Sequence, residues 1–286
     1  MERDNNMLKK RHFASPVHKY IALAAMIILV AITLYPVVMI ALNAFKSPQD
    51  YASHGPMSFP TSFYTQGLID FWNRVTFEKK LLNSALISSS VAIFGVILSL
   101  LNAFALGIGK IKGKAFLLVI FLLGNFLPQE ALVYPLYYFA KALHLYDTKL
   151  VVIIVFTVIQ SAFGTYLLTS VFSEFPKELI EAAIIDGASK SQILSRIVMP
   201  LSMPTLSVLF VFYFIWTWNE FFLPLILLIS SSNQTVPIAI ATLQGQFNMD
   251  VTTSAASALL GVLPCLIFFL LFQRTLTRGI TAGSIK

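Results

Sequence analysis

The sequence predicts an all-α integral membrane protein built from six transmembrane helices. Three observations carry this reading. The 286 residues have a mean hydropathy of +0.79, with 57% hydrophobic and 12% charged residues, against roughly 25% charged in soluble domains. The apolar residues fall into six runs nearly free of charge, each long enough for about 30 Å of hydrocarbon. The basic residues, net charge +7, gather in short clusters between those runs, which is the signature of membrane topology and argues against nucleic acid as a partner.

Residues 1–19 form a basic start (Lys9, Lys10, Arg11, Lys19) ahead of the first run, 20–45. That run is too long for the short apolar region of a cleaved signal peptide, so it is read as a retained span. Residues 46–80 are polar and broken by Pro48, Pro56 and Pro60, with Phe63, Tyr64, Phe71 and Trp72 suited to an interface. The segment 81–273 holds the other five runs, Leu81–Gly109, Ala115–Ala140, Leu150–Phe172, Ile197–Ile229 and Val251–Gln273. The third is interrupted by Pro128, Glu130 and Pro135, and the fifth carries Glu220. Residues 274–286 are a basic tail.

Six spans put both termini on one side, and the basic residues say which. Arg3, Lys9, Lys10, Arg11, Lys19, Lys110, Lys112, Lys114, Lys177, Lys190, Arg196, Arg274, Arg278 and Lys286 lie on the terminus side, 14 of the 20. Lys46, Arg74, Lys79, Lys80, Lys141 and Lys149 lie opposite. The termini and the charged stretch 173–200 are therefore expected in the cytoplasm. The single cysteine, Cys265, allows no internal disulfide, and the four histidines lack metal-ligand spacing, so no metal site is expected.

The stretch 173–200 is the one densely charged island in the second half of the chain. Pro176 suits a first helical turn, and Glu174 and Glu178 lie near its positive end. Ile180, Ala183 and Ile184 give an apolar face, and Ala182 with Ala183 keeps one side thin enough for a close-approaching protein. Gly187 suits the left-handed stop. Ser189 and Gln192 fit a capping box that starts a second short helix, and Pro200 marks a kink into the fifth run.

Glu181-Ala182-Ala183, then Gly187, then Ile197 and Met199-Pro200, resemble the cytoplasmic "EAA" loop of the membrane subunits of ABC-type importers; Met199 stands where that family usually has Leu. Phe175–Leu179, Ile185–Ser189, Trp218-Asn219-Glu220-Phe221 and the tail Arg278–Lys286 resemble the maltose-type sugar branch. The resemblance implies a type I ABC importer transmembrane domain, multi-pass in a bacterial plasma (inner) membrane and in contact with lipid. It implies one of two different permease subunits, set on two ATPase subunits that hold ATP and Mg, and fed by an extracytoplasmic sugar-binding protein. This chain itself binds no cofactor on that view. Glu181, Ala182, Ala183, Asp186, Gly187 and Pro200 become the ATPase-coupling residues. The tail is expected to enter the interface between the ATPases.

Glu130 and Glu220 lie in apolar surroundings, where a charge costs on the order of 3 kcal/mol and normally faces water or the bundle interior. With Tyr213, Trp218 and Asn219 they are the candidates for a substrate path, and Asn125 and Gln129 are further ones. Gln244, Gly245, Gln246 and Phe247, between the fifth and sixth runs, are the candidates for docking the binding protein, together with Ser231–Thr235. No His-Glu-x-x-His or Gly-x-Ser-x-Gly supports an intramembrane enzyme. Gly109–Ala115 lacks the spacing and the Ser or Thr of a nucleotide loop, so ATP binds elsewhere. The two acids leave an ion-driven secondary transporter as the alternative, in which the charged island has no role.

Overall fold

The computed structural model describes residues 16–109, 111–246 and 250–282. All the regular structure among them is helical. Among the described residues, five helices are long and apolar enough to cross a membrane, or six when one bent pair counts as a single span. The chain divides into two compact units, Met1–Gly67 with Asp250–Leu259, and Leu68–Met249 with Leu260–Lys286.

In the first unit, α1 (Pro16–Ala44) is the first span. The short α2 (Pro48–His54) begins on Ser47, whose hydroxyl accepts the Asp50 N–H at 3.1 Å. The helix α3 (Gln66–Val75) begins in this unit and continues into the second.

The second unit is organised by α4 (Phe77–Gly107). Next come α5 (Lys114–Phe126), a 3-10 turn at Gln129–Leu132 and α6 (Val133–Ala142). The pair α5–α6 bends by 97°. The bend follows from Pro128, which holds the preceding Leu127 extended (ψ 121°). Pro135 sits in the first turn of α6, where it costs no hydrogen bond.

The next long helix, α7 (Lys149–Ser173), runs parallel to α4. Lys149 Nζ meets Asn83 Oδ1 at 2.8 Å near the start of both, and a Cβ on Gly107 would lie 2.7 Å from Phe172 Cβ near the end of both. Lys114 Nζ, at the start of α5, donates to Ser173 Oγ at the end of α7, 2.9 Å away.

Two short helices follow, α8 (Lys177–Ile185) and α9 (Lys190–Ile193). A π-helical turn at Leu194–Val198 joins α9 to α10 (Met199–Asn219). Lys190 to Asn219 forms one helical run of 30 residues. Beyond it stand α11 (Phe222–Leu227), a 3-10 turn at Ser231–Asn233 and α12 (Val236–Gln246). The last helix, α13 (Val251–Ala282), starts on Asp250, whose carboxylate accepts the Thr253 N–H at 2.8 Å. The basic tail from residue 274 has a helical backbone to Ala282; residues 283–286 lie outside the described residues.

The core of the second unit is the seam of α4, α7 and α10. Small residues let these helices approach closely. A Cβ on Gly164 would lie 2.0 Å from the Tyr213 hydroxyl, and one on Gly95 would lie 2.9 Å from the Tyr213 ring. Ser99 Oγ donates to Gly95 O at 2.7 Å and accepts the Tyr213 hydroxyl at 2.9 Å. Gln160 Nε2 donates to Thr217 Oγ1 at 2.9 Å, and Asn102 Nδ2 to Thr165 Oγ1 at 3.3 Å. Where water is scarce, such pairs satisfy polar groups between helices and fix their rotation.

Candidate functional site

Two places bring candidate residues together, and one long helix joins them. At one end of the second unit α8 and α9 form a helix–turn–helix. The Ala188 N–H reaches Ala183 O (2.9 Å) and the Gly187 N–H reaches Ile184 O (3.0 Å), closing α8 on a glycine with φ +76°. The capping box is complete: Ser189 Oγ accepts from Gln192 N at 3.3 Å, and the Gln192 side chain accepts from Ser189 N at 2.7 Å. Pro176 caps α8 from just outside its first turn.

Ala183, Ile193 and Val198 are buried in the main core with Phe172 and Leu206, so this element is seated on the bundle. Ala183 thus spends its small size on contacts within the chain; the thin outward side is Ala182, beside exposed Glu181. The expected apolar face also turns: Ile180 is half-buried, whereas Ile184 and Ile185 are exposed, Ile185 by 85%. Glu178, Glu181, Ala182 and Ile185 share one helical face by spacing, and all four are exposed. Asp186 and Gly187 are exposed at the turn. Pro200 stands two residues beyond the π turn, inside a continuous helix. A proline there removes one backbone donor and crowds the carbonyl four residues back, and the wider turn accommodates both.

The second place is a cleft of about 370 Å³ between α5, the 3-10 turn, α7 and the end of α10. Its polar lining is Asn125, Gln129, Gln160, Asn219 and Glu220; Phe163 and Trp216 supply apolar faces, with ring centroids 5.2 Å apart and edge to face. The fifth run does not continue as helix through Glu220. It ends at Asn219, and Glu220 is extended (φ −73°, ψ 130°) with Oε1 accepting the Phe222 N–H at 3.3 Å. Asn219 Nδ2 is held on Ile215 O at 2.8 Å.

Asn219 and Glu220 therefore line the cleft, as do Asn125 and Gln129, whereas Tyr213, Trp218 and Glu130 do not. Tyr213 is 0% exposed and locked in the α4–α7–α10 seam. Trp218 is 4% exposed and stacks on Phe214, which stacks on Phe268 with centroids 3.7 Å apart. Glu130 is exposed on the 3-10 turn while its neighbour Gln129 faces the cleft. Trp216, 43% exposed, takes the place expected of Trp218. Gln160 was missed altogether; its signal is a lone amide in the uncharged run Leu150–Phe172.

At the opposite end of the second unit, the segment after α11 is pinned by α4 and by Asp147, just ahead of α7. The buried Lys80 ammonium donates to the Ser231 carbonyl and, at 2.8 Å, to Ser231 Oγ. Asn83 Nδ2 reaches Ser232 O and Gln234 O (2.8 and 2.9 Å), and Ser84 Oγ accepts the Val236 N–H at 2.9 Å. Asp147 accepts the Ser230 N–H (2.9 Å) and the Ser230 hydroxyl. Burial pushes the Asp147 carboxyl up, but the Ser230 and Asn233 hydrogen bonds outweigh it and hold it below the ordinary carboxylate value. Val236, Ile238 and Ala239 are buried, so the first half of α12 is packed helix. Gln244, Gly245 and Gln246 belong to its last turns, with side chains outside the described residues, as is the whole of Phe247.

A bundle of apolar helices with a polar cleft at one helix end and a seated helix–turn–helix at the other is the architecture of a membrane permease driven from outside its own chain. The chain belongs to the family of binding-protein-dependent transport system inner membrane components, matched over residues 95–282. It is a multi-pass permease subunit of an ABC transporter, and ATP hydrolysis belongs to a separate subunit. It is 30% identical over 282 residues to the inner membrane ABC transporter permease protein YcjP of Escherichia coli, covering 98% of this chain and 100% of that one. It is also 30% identical over 260 residues to the diacetylchitobiose uptake system permease protein DasC of Streptomyces coelicolor, covering 88% and 91%. Among solved structures it shares its fold with a bacterial ABC transporter that imports the acidic polysaccharide alginate (TM-score 0.72, 21% identity, 90% of this chain and 96% of that chain).

Proposed function

We propose that this chain is one of two different permease subunits of an importer for a sugar or oligosaccharide. The pair rests on two ATPase subunits, which hold ATP and Mg, and receives its solute from an extracytoplasmic binding protein. Both termini and the α8–α9 element lie in the cytoplasm on this reading. The observation that carries it is the single helical run from Lys190 to Asn219, which begins inside the capping box of α9 and ends in the wall of the cleft. A displacement of α8–α9 by an ATPase subunit would reach Trp216, Asn219 and Glu220 without crossing a loop.

The chemistry of the cleft supports a carbohydrate. Amides and a carboxylate exchange hydrogen bonds with hydroxyl groups, and aromatic faces cover the apolar side of a sugar ring. DasC, named for diacetylchitobiose uptake, and the alginate importer both handle carbohydrates. Glu181 on the outward face of α8 is assigned to a basic group of the ATPase, and Gln244, Gly245 and Gln246 at the end of α12, with Phe247, to docking of the binding protein.

The test is purification of the tagged chain from its native membrane. It should bring down an ATPase and a second permease, and ATP turnover of that complex should rise when a sugar-loaded binding protein is added. A chain that purifies alone and moves solute on an ion gradient would overturn the proposal in favour of a secondary transporter.

A further inference from the structure

Just after α1 the polarity of the chain is turned inside out. Between Lys46 and Thr65 the residues charged at neutral pH are Lys46 and Asp50. They are 0% and 6% exposed, while Met57, Phe59 and Phe63 are 70%, 80% and 80% exposed. A loop facing water does the reverse, because burying charge is costly and exposing large apolar side chains gains nothing.

The arrangement is held from within. The Tyr64 N–H donates to Phe45 O at 3.1 Å, closing the loop at its base, and the Phe63 ring lies 4.9 Å from the Phe45 ring. The Lys46 ammonium donates to Gly55 O (2.8 Å) and Pro56 O (3.2 Å). Asp50 Oδ2 accepts the Thr61 N–H at 3.0 Å, and its Oδ1 faces His54 Nδ1 at 2.9 Å. Both charges are thus spent on the loop's own backbone and on His54, and the tip between them presents apolar side chains.

We propose that this loop is a membrane anchor whose Met57, Phe59 and Phe63 insert at the headgroup–acyl boundary of the leaflet farther from the N-terminus. Lipid is the occupant that fits the depth of the patch. Apolar side chains along α1 are exposed from Val17 to Val38, whereas Asn43 and Ala44 at its end are buried and the loop closes on the next residue. At 1.5 Å per residue the 29 residues of α1 reach about 43 Å, beyond the roughly 30 Å hydrocarbon core, so the loop hangs at headgroup level. Apolar residues on a locally ordered element at that depth bind by burying area in the boundary. The anchor would set the depth of the first span, whichever solute the transporter carries.

The full-length chain in lipid nanodiscs, with Cys265→Ser and Phe59→Cys, tests this after labelling with bimane. A shallow doxyl-labelled lipid should abolish most of the fluorescence and aqueous iodide little of it. Met57→Cys and Phe63→Cys should behave alike, so a folding failure in one variant leaves the others to decide. Quenching by iodide without quenching by the lipid would overturn the proposal. So would resistance to both quenchers, the mark of a covering protein.

Discussion

The Tyr213 hydroxyl sits 2.9 Å from Ser99 Oγ, in the space that any side chain on Gly164 would need. Three helices thus meet on one hydroxyl. Gly164→Ala should force Tyr213 and Ser99 aside and cost about 1–3 kcal/mol by overpacking. Tyr213→Phe removes the nearest atom, so the double variant should recover part of the loss. Melting of the purified chain in detergent measures both, and an unchanged melting temperature for Gly164→Ala would refute the seam.

Trp216 and Trp218 are two residues apart and differ in what they do. Trp216→Ala opens the cleft wall and should lower solute transport more than stability. Trp218→Ala removes a core ring and should cost about 3–5 kcal/mol of stability. Paired transport and melting measurements separate them; equal profiles would mean the helix is rotated from its described position.

For the proposed coupling element, Glu181→Lys should abolish transport and stimulated ATP hydrolysis while leaving the bundle folded. Losing a partly desolvated charge partner costs about 2–5 kcal/mol. Gly187→Val should act through the backbone, since open space surrounds the position but φ is +76°. That conformation costs about 1–2 kcal/mol for an ordinary residue, and Gly187→Asn should be milder. Wild-type hydrolysis in Glu181→Lys would remove Glu181 from the coupling surface.

The Asp147 clamp gives a pH dependence with a definite sign. A carboxyl held below its unfolded value, about 4, stabilises the fold above that pH and loses this as pH falls through the folded value. Acidification should therefore loosen the Ser230–Asn233 turn. Asp147→Asn should lower stability at neutral pH and flatten the acid limb of a melting-temperature profile; an identical acid limb would show that other groups carry it.

Sidedness follows from single cysteines in a Cys265→Ser background. Ser232→Cys should react with an impermeant thiol reagent in intact cells, and Ser189→Cys only after lysis. External labelling at position 189 would reverse the topology.

Where the sequence was legible, the signal was local. Ser189 with Gln192 and the glycine at 187 announce their own geometry because a cap is decided within four residues. Pro128 likewise marks the break between α5 and α6. What stayed hidden depends on partners distant in the chain. Apolar residues continue from Phe221 to Ile229, so hydropathy carried the fifth span past Glu220, where the helix has already ended. No periodicity shows which tryptophan faces a cleft when all sides of a helix are apolar. Lys80 was counted as an outer charge by its position, yet it is buried because the carbonyl and hydroxyl of Ser231, 151 residues away, receive it.

The π turn at Leu194–Val198 has a consequence for angle. One extra residue in a helical turn rotates everything after it by about 100° relative to what precedes. The face of α10 that carries Trp216 and Asn219 is therefore clocked against α8–α9 by that single residue. Deleting one residue within 194–198 would leave composition and span length almost untouched and still swing the cleft wall toward a different neighbour, so the chain stores the phase between its two working ends in one irregular turn.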